Sequence, residues 1–331
     1  MSTLMIYGAS GYTGRLASQH AAAWGLDLVL AGRNESALSC LADELAVEYR
    51  VFGLDEVPAI SDVSVLLNCA GPFARTAKPL MTAAIAAGVH YLDVAAELDS
   101  YRLAEVLDED AKAAGVMLLP GSGGSVAMLG CLAGHVAERV PDARRVRIAL
   151  QIAGSMSLGS AVSAAEGLTT DCLMRAEGSL ISRDPGDTRE FNFGTGPTIC
   201  PAVTLPDLVT IWRSTGIPDI ETYVHMAGGG FPQGDLAALP DGPTLEHREA
   251  NRYHAAVEVT GADGDVACAV LDTVNGYTFT PLAAAEAARR VLAGEFQPGF
   301  ATPATLFGSD FVETIADSRI LDMSCQAGSG H

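Results

Sequence analysis

Positive charge is scarce in this chain. Lys and Arg number 20 against 40 Asp and Glu, which leaves a formal charge of −20 over 331 residues. Nucleic acid and anionic membrane surfaces are recognised by clustered Lys and Arg, so neither is an expected partner. Long apolar runs are also missing. No uninterrupted stretch approaches the roughly 20 residues of a membrane span, so no transmembrane helix is expected. The longest apolar stretch, residues 126–137, is broken by Gly130, Gly134 and His135 and reads as a buried helix. Residues 1–6 lack the basic n-region of a signal peptide, and the expectation is a cytoplasmic protein.

Cysteine patterning is equally sparse. Cys40, Cys69, Cys131, Cys172, Cys200, Cys268 and Cys325 form no C-x-x-C pair, and their number is odd. They read as buried, reduced thiols, neither a disulfide framework nor a zinc site. The histidines show no H-x-x-x-H or H-E-x-x-H spacing, so no metal is expected. There is no internal repeat, low-complexity segment or long linker.

What is present is apolar substance and glycine. Apolar residues make up 49% of the chain and charged ones 18%, enough for a large core in two domains. The first strand-like run, Leu4-Met5-Ile6-Tyr7, leads directly into Gly8-Ala9-Ser10-Gly11-Tyr12-Thr13-Gly14 and then a helical stretch over residues 15–24. Strand, glycine-rich turn and helix form a dinucleotide cradle. Gly8 permits the sharp turn, Gly11 lets backbone N–H groups reach a pyrophosphate, and Gly14 lets the helix lie close to the strand. The helix start offers unpaired N–H groups and partial positive charge. Ser10, Tyr12 and Thr13 line the same turn.

The second strand, residues 26–31, ends in Gly32-Arg33-Asn34. An NAD site usually places Asp or Glu there for the ribose hydroxyls. A guanidinium pairs instead with a 2′-phosphate, so Arg33 and Asn34 predict NADP(H). A fourth strand, residues 63–69, opens into Ala70-Gly71-Pro72, a loop expected to border the cofactor because ligands lie outside the carboxyl ends of parallel strands. Alternation of strands and helices continues through residue 120. This predicts an α/β fold, a Rossmann-type doubly wound parallel sheet. Beyond it the pattern changes. Residues 159–177 read as a helix, residues 228–243 as a loop, and residues 253–260 and 266–274 as a β-hairpin. The glycine-rich loop at 121–125 is either a cover over the active site or a hinge.

Several of these stretches together resemble the saccharopine dehydrogenase-like family of NADP-dependent reductases. The carriers are the turn Gly8 to Gly14, Ala31-Gly32-Arg33-Asn34, Asn68-Cys69-Ala70-Gly71-Pro72-Phe73, and Gly88-Val89-His90-Tyr91-Leu92-Asp93-Val94-Ala95-Ala96-Glu97. Gly276-Tyr277-Thr278-Phe279-Thr280 and Gly299-Phe300-Ala301-Thr302-Pro303 add to them. The resemblance implies a Rossmann domain, residues 1–120 plus 276–331. It also implies an inserted α+β domain, residues 121–275, for substrate and dimerisation. Family members reduce C=N bonds of saccharopine type, and relatives described as trans-acting enoyl reductases reduce C=C bonds.

Hydride transfer needs positioning and a proton source. The strand at 90–95 sends Tyr91 and Asp93 to one face and ends at Glu97. Asp93, Glu97 and Tyr277 are the candidate catalytic residues. Cys69 and Lys78 lie nearby in sequence, and Arg213, Arg248 and Arg252 are cations that an anionic small-molecule substrate could use. The expectation is an NADPH-dependent reductase of a C=N bond in an amino-acid-derived substrate. Its rivals are an enoyl reductase and an NADP-binding sensor without turnover. The hairpin and edge strands of the insert suggest a homodimer.

Overall fold

Leu4 and Ile6 face one side of the first strand and Met5 and Tyr7 the other, and all four are buried. A strand covered on both faces belongs in a parallel sheet between helical layers. The computed structural model, which describes residues 2–55, 57–58, 60–161, 171–227 and 241–325, builds that sheet. In chain order its elements are β1 (Thr3–Tyr7), α1 (Tyr12–Ala23), β2 (Asp27–Gly32), α2 (Glu35–Leu45), β3 (Glu48–Val51), β4 (Val65–Asn68) and α3 (Phe73–Ala87). Then come β5 (His90–Asp93), α4 (Leu98–Val106), α5 (Asp108–Ala113) and β6 (Met117–Leu119). The spatial order is β6-β5-β4-β1-β2-β3, every pair parallel. This is the doubly wound Rossmann order, whose switch point lies between β1 and β4.

The long apolar helix α6 (Gly124–Ala137) is buried from Val126 to Ala133, as its sequence predicts. It leads into a second, mixed sheet. The strands there are β7 (Ala143–Ala153), β8 (Leu173–Ala176), β9 (Ser179–Ser182), β10 (Thr188–Asn192) and β11 (Pro197–Pro201). After α7 (Asp207–Thr215) follow β12 (Asp219–Ala227), α8 (Leu245–Glu249), β13 (Tyr253–Gly261) and β14 (Val266–Thr273). The chain then returns to the first sheet through α9 (Gly276–Leu292), and β15 (Gly299–Phe300) pairs parallel with β6. A short helix α10 (Pro303–Phe307), a 3-10 turn at Ser309–Thr314 and β16 (Arg319–Met323) complete it.

Small residues let α9 lie against α1. Ala283, Ala284, Ala287 and Ala288 are buried on one side, and Gly14, Ala17 and Ala21 on the other. The core on this face of the first sheet runs continuously through α6 into the second sheet, joining Leu4, Ile6 and Leu92 to Leu132, Ile148 and Val257. The opposite face packs against α3 and α4 through Leu66, Leu80, Tyr91 and Tyr101.

Four expectations are corrected. Residues 173–176 are a strand, not the end of a helix. Glu177 (φ 49°) and Gly178 (φ 79°) both take positive φ and turn the chain tightly into β9, a two-residue hairpin geometry. Residues 162–170, the middle of that expected helix, lie outside the described residues, as does most of the expected loop at 228–243. Next, Cys268 and Cys325 form a disulfide, so the seven cysteines are not all free thiols. The reason is tertiary. Cys268 stands opposite Met323 in the β14–β16 ladder, and Cys325 follows two residues later on the same face. Third, β16 pairs antiparallel with β14, so residues 319–323 join the second sheet and not the first. Finally, Gly121, Ser122 and Gly123 are buried and packed, which is no hinge. A Cβ on Gly121 would lie 2.2 Å from the Tyr101 hydroxyl, and one on Gly123 2.5 Å from the Thr280 carbonyl oxygen.

Candidate cofactor and active site

The carboxyl ends of β1, β4, β5 and β6 present four loops side by side. The first is the glycine-rich turn. Gly8 has φ 79°, and a Cβ there would sit 2.8 Å from Ala70, so this turn and the β4 loop touch through a bare backbone. At Gly14 a Cβ would fall 2.2 Å from the Gly8 carbonyl oxygen, which is why α1 can start so near the strand. Gly11 is exposed and is the N-cap of α1, with no side chain capping the helix. The first N–H groups of a helix lack intrahelical partners. Here they are left to an outside acceptor, and the open glycine face gives a phosphate room to reach them. The residues therefore fit a dinucleotide pyrophosphate. Ser10 and Thr13 are half-buried beside it.

At the end of β2, Arg33 is exposed and has no carboxylate partner among the described residues. Its charge lies close enough to Tyr7 to oppose the burial that raises the phenol's pKa. Asn34 has a structural task. Its Oδ1 accepts from the Ala37 N–H at 3.1 Å and caps α2, leaving only its amide NH2 for a ligand.

The Ala70-Gly71-Pro72 loop is held by Asn68, which is fully buried. Asn68 Oδ1 accepts from Ala70 N–H at 2.9 Å, and its amide donates to Thr76 Oγ1 at 3.0 Å and to the Tyr91 hydroxyl at 3.1 Å. Thr76 in turn donates to the Ala70 carbonyl at 2.7 Å. The Gly71–Pro72 peptide is cis. Burial pushes the neighbouring Cys69 thiol up to about 12, so it is a thiol and no nucleophile. Lys78 is exposed on α3.

Asp93 joins the β5 and β6 loops. It is fully buried, and its carboxylate accepts from Ala95 N–H at 3.0 Å, Gly121 N–H at 2.8 Å and the Tyr91 hydroxyl at 2.9 Å. Its carbonyl accepts from both the amide and the hydroxyl of Ser122, each at 2.8 Å. Burial pushes its pKa up to about 6, with Glu97 adding slightly, while the three hydrogen bonds pull the other way. Asp93 therefore has a structural task at this edge. A carboxylate with no exposed surface and three internal donors ties the β5 and β6 loops together. Glu97 stands at the N-cap of α4. Its Oε2 accepts from Ala96 N–H at 3.0 Å, and its Oε1 receives Phe73 N–H at 3.4 Å, which ties the start of α3 to the β5 loop.

The second unit meets this edge at Tyr277, in the first turn of α9 and half-buried. Asn275 caps that helix by accepting from Tyr277 N–H at 3.0 Å. The Tyr277 hydroxyl oxygen accepts the Ser157 N–H at 2.7 Å, and its ring lies edge-on to Tyr12 at 5.9 Å. Among the described residues no acceptor takes its phenol proton. Arg248 Nη1 donates to the Tyr277 carbonyl at 3.3 Å. That carbonyl is free because Pro281, four residues on, has no N–H to give it. Arg213 is engaged by Asp108 and the Phe300 carbonyl, and Arg252 by Asp272 and Asp317.

The structure thus gathers Gly8, Gly11, Gly14, Ala70, Gly71, Pro72, Asp93, Glu97 and Tyr277 along one edge. Asn68, Thr76, Ser157 and the segment 242–248 belong to it as well; of these the sequence reading had named Asn68 only within the family motif and Arg248 only as a cation, and it singled out neither Thr76 nor Ser157. Pro281 was the readable signal for Arg248, since a proline inside a helix orphans a carbonyl at a known distance.

Residues 4–119 match the family profile described as saccharopine dehydrogenase NADP binding domain. The first domain is similar to that family over this span. The match therefore ends with β6, and the mixed sheet lies beyond it. No curated protein sequence matches the chain. Among solved structures, the apo saccharopine dehydrogenase (L-Glu forming) of Saccharomyces cerevisiae superposes with a TM-score of 0.64 at 11% identity, covering 97% of this chain and 100% of that one. A probable dehydrogenase from Thermotoga maritima gives 0.49 at 13% identity, with 94% and 93% covered. A myo-inositol dehydrogenase from Corynebacterium glutamicum gives 0.46 at 13%, with 98% and 100% covered. The yeast comparison extends the likeness in fold from the domain to the whole chain. The first domain has the fold and the glycine-rich turn of a nicotinamide dinucleotide-binding domain, and the chain has the fold of the saccharopine dehydrogenase type. Among the described residues no helix is long and apolar enough to cross a membrane, and no cluster of three His, Cys, Asp or Glu could hold a metal ion.

Proposed function

We propose that the protein is an NADPH-dependent reductase of a polarised double bond, a C=N bond in an amino-acid-derived small molecule. The observation that carries this reading is the pairing of an uncapped, glycine-open α1 with Tyr277. One can hold a dinucleotide, and the other has a hydroxyl whose oxygen is fixed while its proton is unclaimed. When bound, the nicotinamide cofactor supplies hydride. The residues of the chain do the rest. Backbone N–H groups at the α1 start hold the pyrophosphate, and Arg33 pairs with the 2′-phosphate. Asn68, Thr76 and Asp93 hold the β4, β5 and β6 loops in register, and Tyr277 delivers the proton. The Ser157 N–H then stabilises the phenolate that remains, as a preorganised donor aimed at developing charge does.

A second reading has its own support. Arg213 and Arg252 are neutralised by carboxylates, and Arg248 gives one N–H to a carbonyl, so two of the three cations expected to anchor a substrate carboxylate are already paired. That favours an enoyl C=C substrate. Calorimetric titration with NADPH and NADH, followed by NADPH oxidation with imine and enoyl panels, tests both. Tight NADPH, weak NADH and turnover of an imine are expected. Enoyl turnover alone would select the second reading. Tight NADPH with no turnover in either panel would leave a sensor, and no binding of either cofactor would remove the reductase altogether.

A further inference from the structure

Tyr12 belongs to the glycine-rich turn, yet its side chain is spent on the second unit. Its hydroxyl donates to the Pro243 carbonyl at 2.6 Å. Its ring is covered by Gly242, where a Cβ would fall 2.5 Å from Cε2 and 2.6 Å from Cδ2, so the segment lies flat on the ring because it has no side chain there. The same ring meets Tyr277 edge-on. The segment has a second anchor five residues on, where Arg248 donates to the carbonyl that Pro281 leaves free at Tyr277. Tyr277 in turn holds Ser157. One tyrosine therefore touches three things at once: the turn that cradles a pyrophosphate, the segment 242–248, and the proposed proton donor.

We propose that Tyr12 is a positioning residue that couples cofactor binding to closure of segment 242–248 over Tyr277. The inference rests on the dinucleotide reading of the first domain. A pyrophosphate bonded to the α1 N–H groups immobilises the residue whose ring and hydroxyl seat the segment. The coupling is reciprocal, because two events that share one free energy must each favour the other by the same factor. Seating the segment tightens the cofactor, and the cofactor seats the segment.

The test uses the full chain with NADPH as the probe, reading affinity by calorimetry and segment closure by hydrogen exchange of the amides in 242–248. In the unmutated protein NADPH is expected to slow exchange in this segment. Tyr12→Phe removes only the hydroxyl, and Gly242→Ala disturbs the same contact from the other side without touching the glycine-rich turn. Each is expected to weaken NADPH about fivefold, the scale of one hydrogen bond lost, and to make exchange in 242–248 independent of NADPH. The double variant is expected to be no worse than either single one, since both break one link. Additive losses, or NADPH-dependent protection that survives in Tyr12→Phe, would overturn the coupling. NADPH binding without any protection in the unmutated protein would overturn it while leaving the dinucleotide site intact. Failure of the unmutated protein to bind NADPH would overturn both.

Discussion

The amide of Ser157 donates to the hydroxyl oxygen of Tyr277 across 2.7 Å, joining residues that lie on different elements of the second unit and the returning chain. A phenol that accepts one hydrogen bond and gives none is set up to lose its proton, because the accepted bond grows stronger as charge develops on the oxygen. Tyr277→Phe removes the proton and leaves the ring against Tyr12. Turnover of any substrate the protein reduces is expected to fall by at least about 100-fold, the lower end for general acid catalysis, and NADPH affinity to stay within about twofold. Steady-state rates and calorimetry on the same preparation check this. Turnover within tenfold of the unmutated protein would show that the proton comes from elsewhere.

Arg33 stands exposed at the end of β2 without an acidic partner among the described residues, whereas most cations in this acidic chain are paired. A charge-assisted bond to a phosphate is worth enough that Arg33→Ala should raise the NADPH dissociation constant roughly 10–100-fold. NADH lacks the 2′-phosphate and should bind within about twofold of its original affinity. Side-by-side titrations decide the matter, and equal losses for both cofactors would remove Arg33 as the phosphate reader.

Asp207 opens α7 with no exposed surface, and neither of its oxygens has a hydrogen-bond partner among the described residues. Burial pushes its pKa up to about 8. The folded chain therefore binds a proton that the unfolded chain releases near the usual carboxylate value. Its contribution to stability is complete below that value and is lost as pH rises toward 8, at up to about 1.4 kcal/mol per pH unit. Asp207→Asn keeps the shape without the titration. Melting temperatures between pH 4 and 8 should fall with pH more steeply in the unmutated protein than in the variant. Parallel curves would mean that Asp207 does not titrate in this window.

Much of the first sheet was legible because its signals are local. The run Leu4 to Tyr7, the glycines after it and the apolar strand before Ala70 each sit within a few residues of what they specify. The glycine-rich turn and the helix start after it were legible for the same reason. The surroundings of Asp93 were not legible, because strand-end position says where a carboxylate is but not whether donors enclose it, and its donors come from Tyr91, Ala95 and Gly121. Residues 173–176, Leu-Met-Arg-Ala, have good helix propensity. They are extended because pairing with β9 through the turn at Glu177 and Gly178 overrides it. The seating of Gly242 on Tyr12 joins positions far apart in the chain and had no local trace.

The Cys268–Cys325 bond was hidden in the same way, and it has a measurable consequence. It closes a separation of 57 residues and fastens the segment after β16 to β14, at the edge of the second sheet. Chain entropy alone assigns such a loop roughly 4 kcal/mol of stabilisation. The strand has other ties, since Asp322 pairs with His135 and Arg139 on and just after α6, so part of its order should survive reduction. Reductant, or Cys325→Ser without reductant, is therefore expected to lower the melting temperature by roughly 5–10 °C. Hydrogen exchange at Arg319–Met323 should speed up while NADPH affinity holds, because the bond lies on the second sheet and the glycine-rich turn belongs to the first. An unchanged melting temperature in both conditions would show that the two cysteines are not bonded in solution. A drop with reductant that Cys325→Ser does not reproduce would point to a different pair.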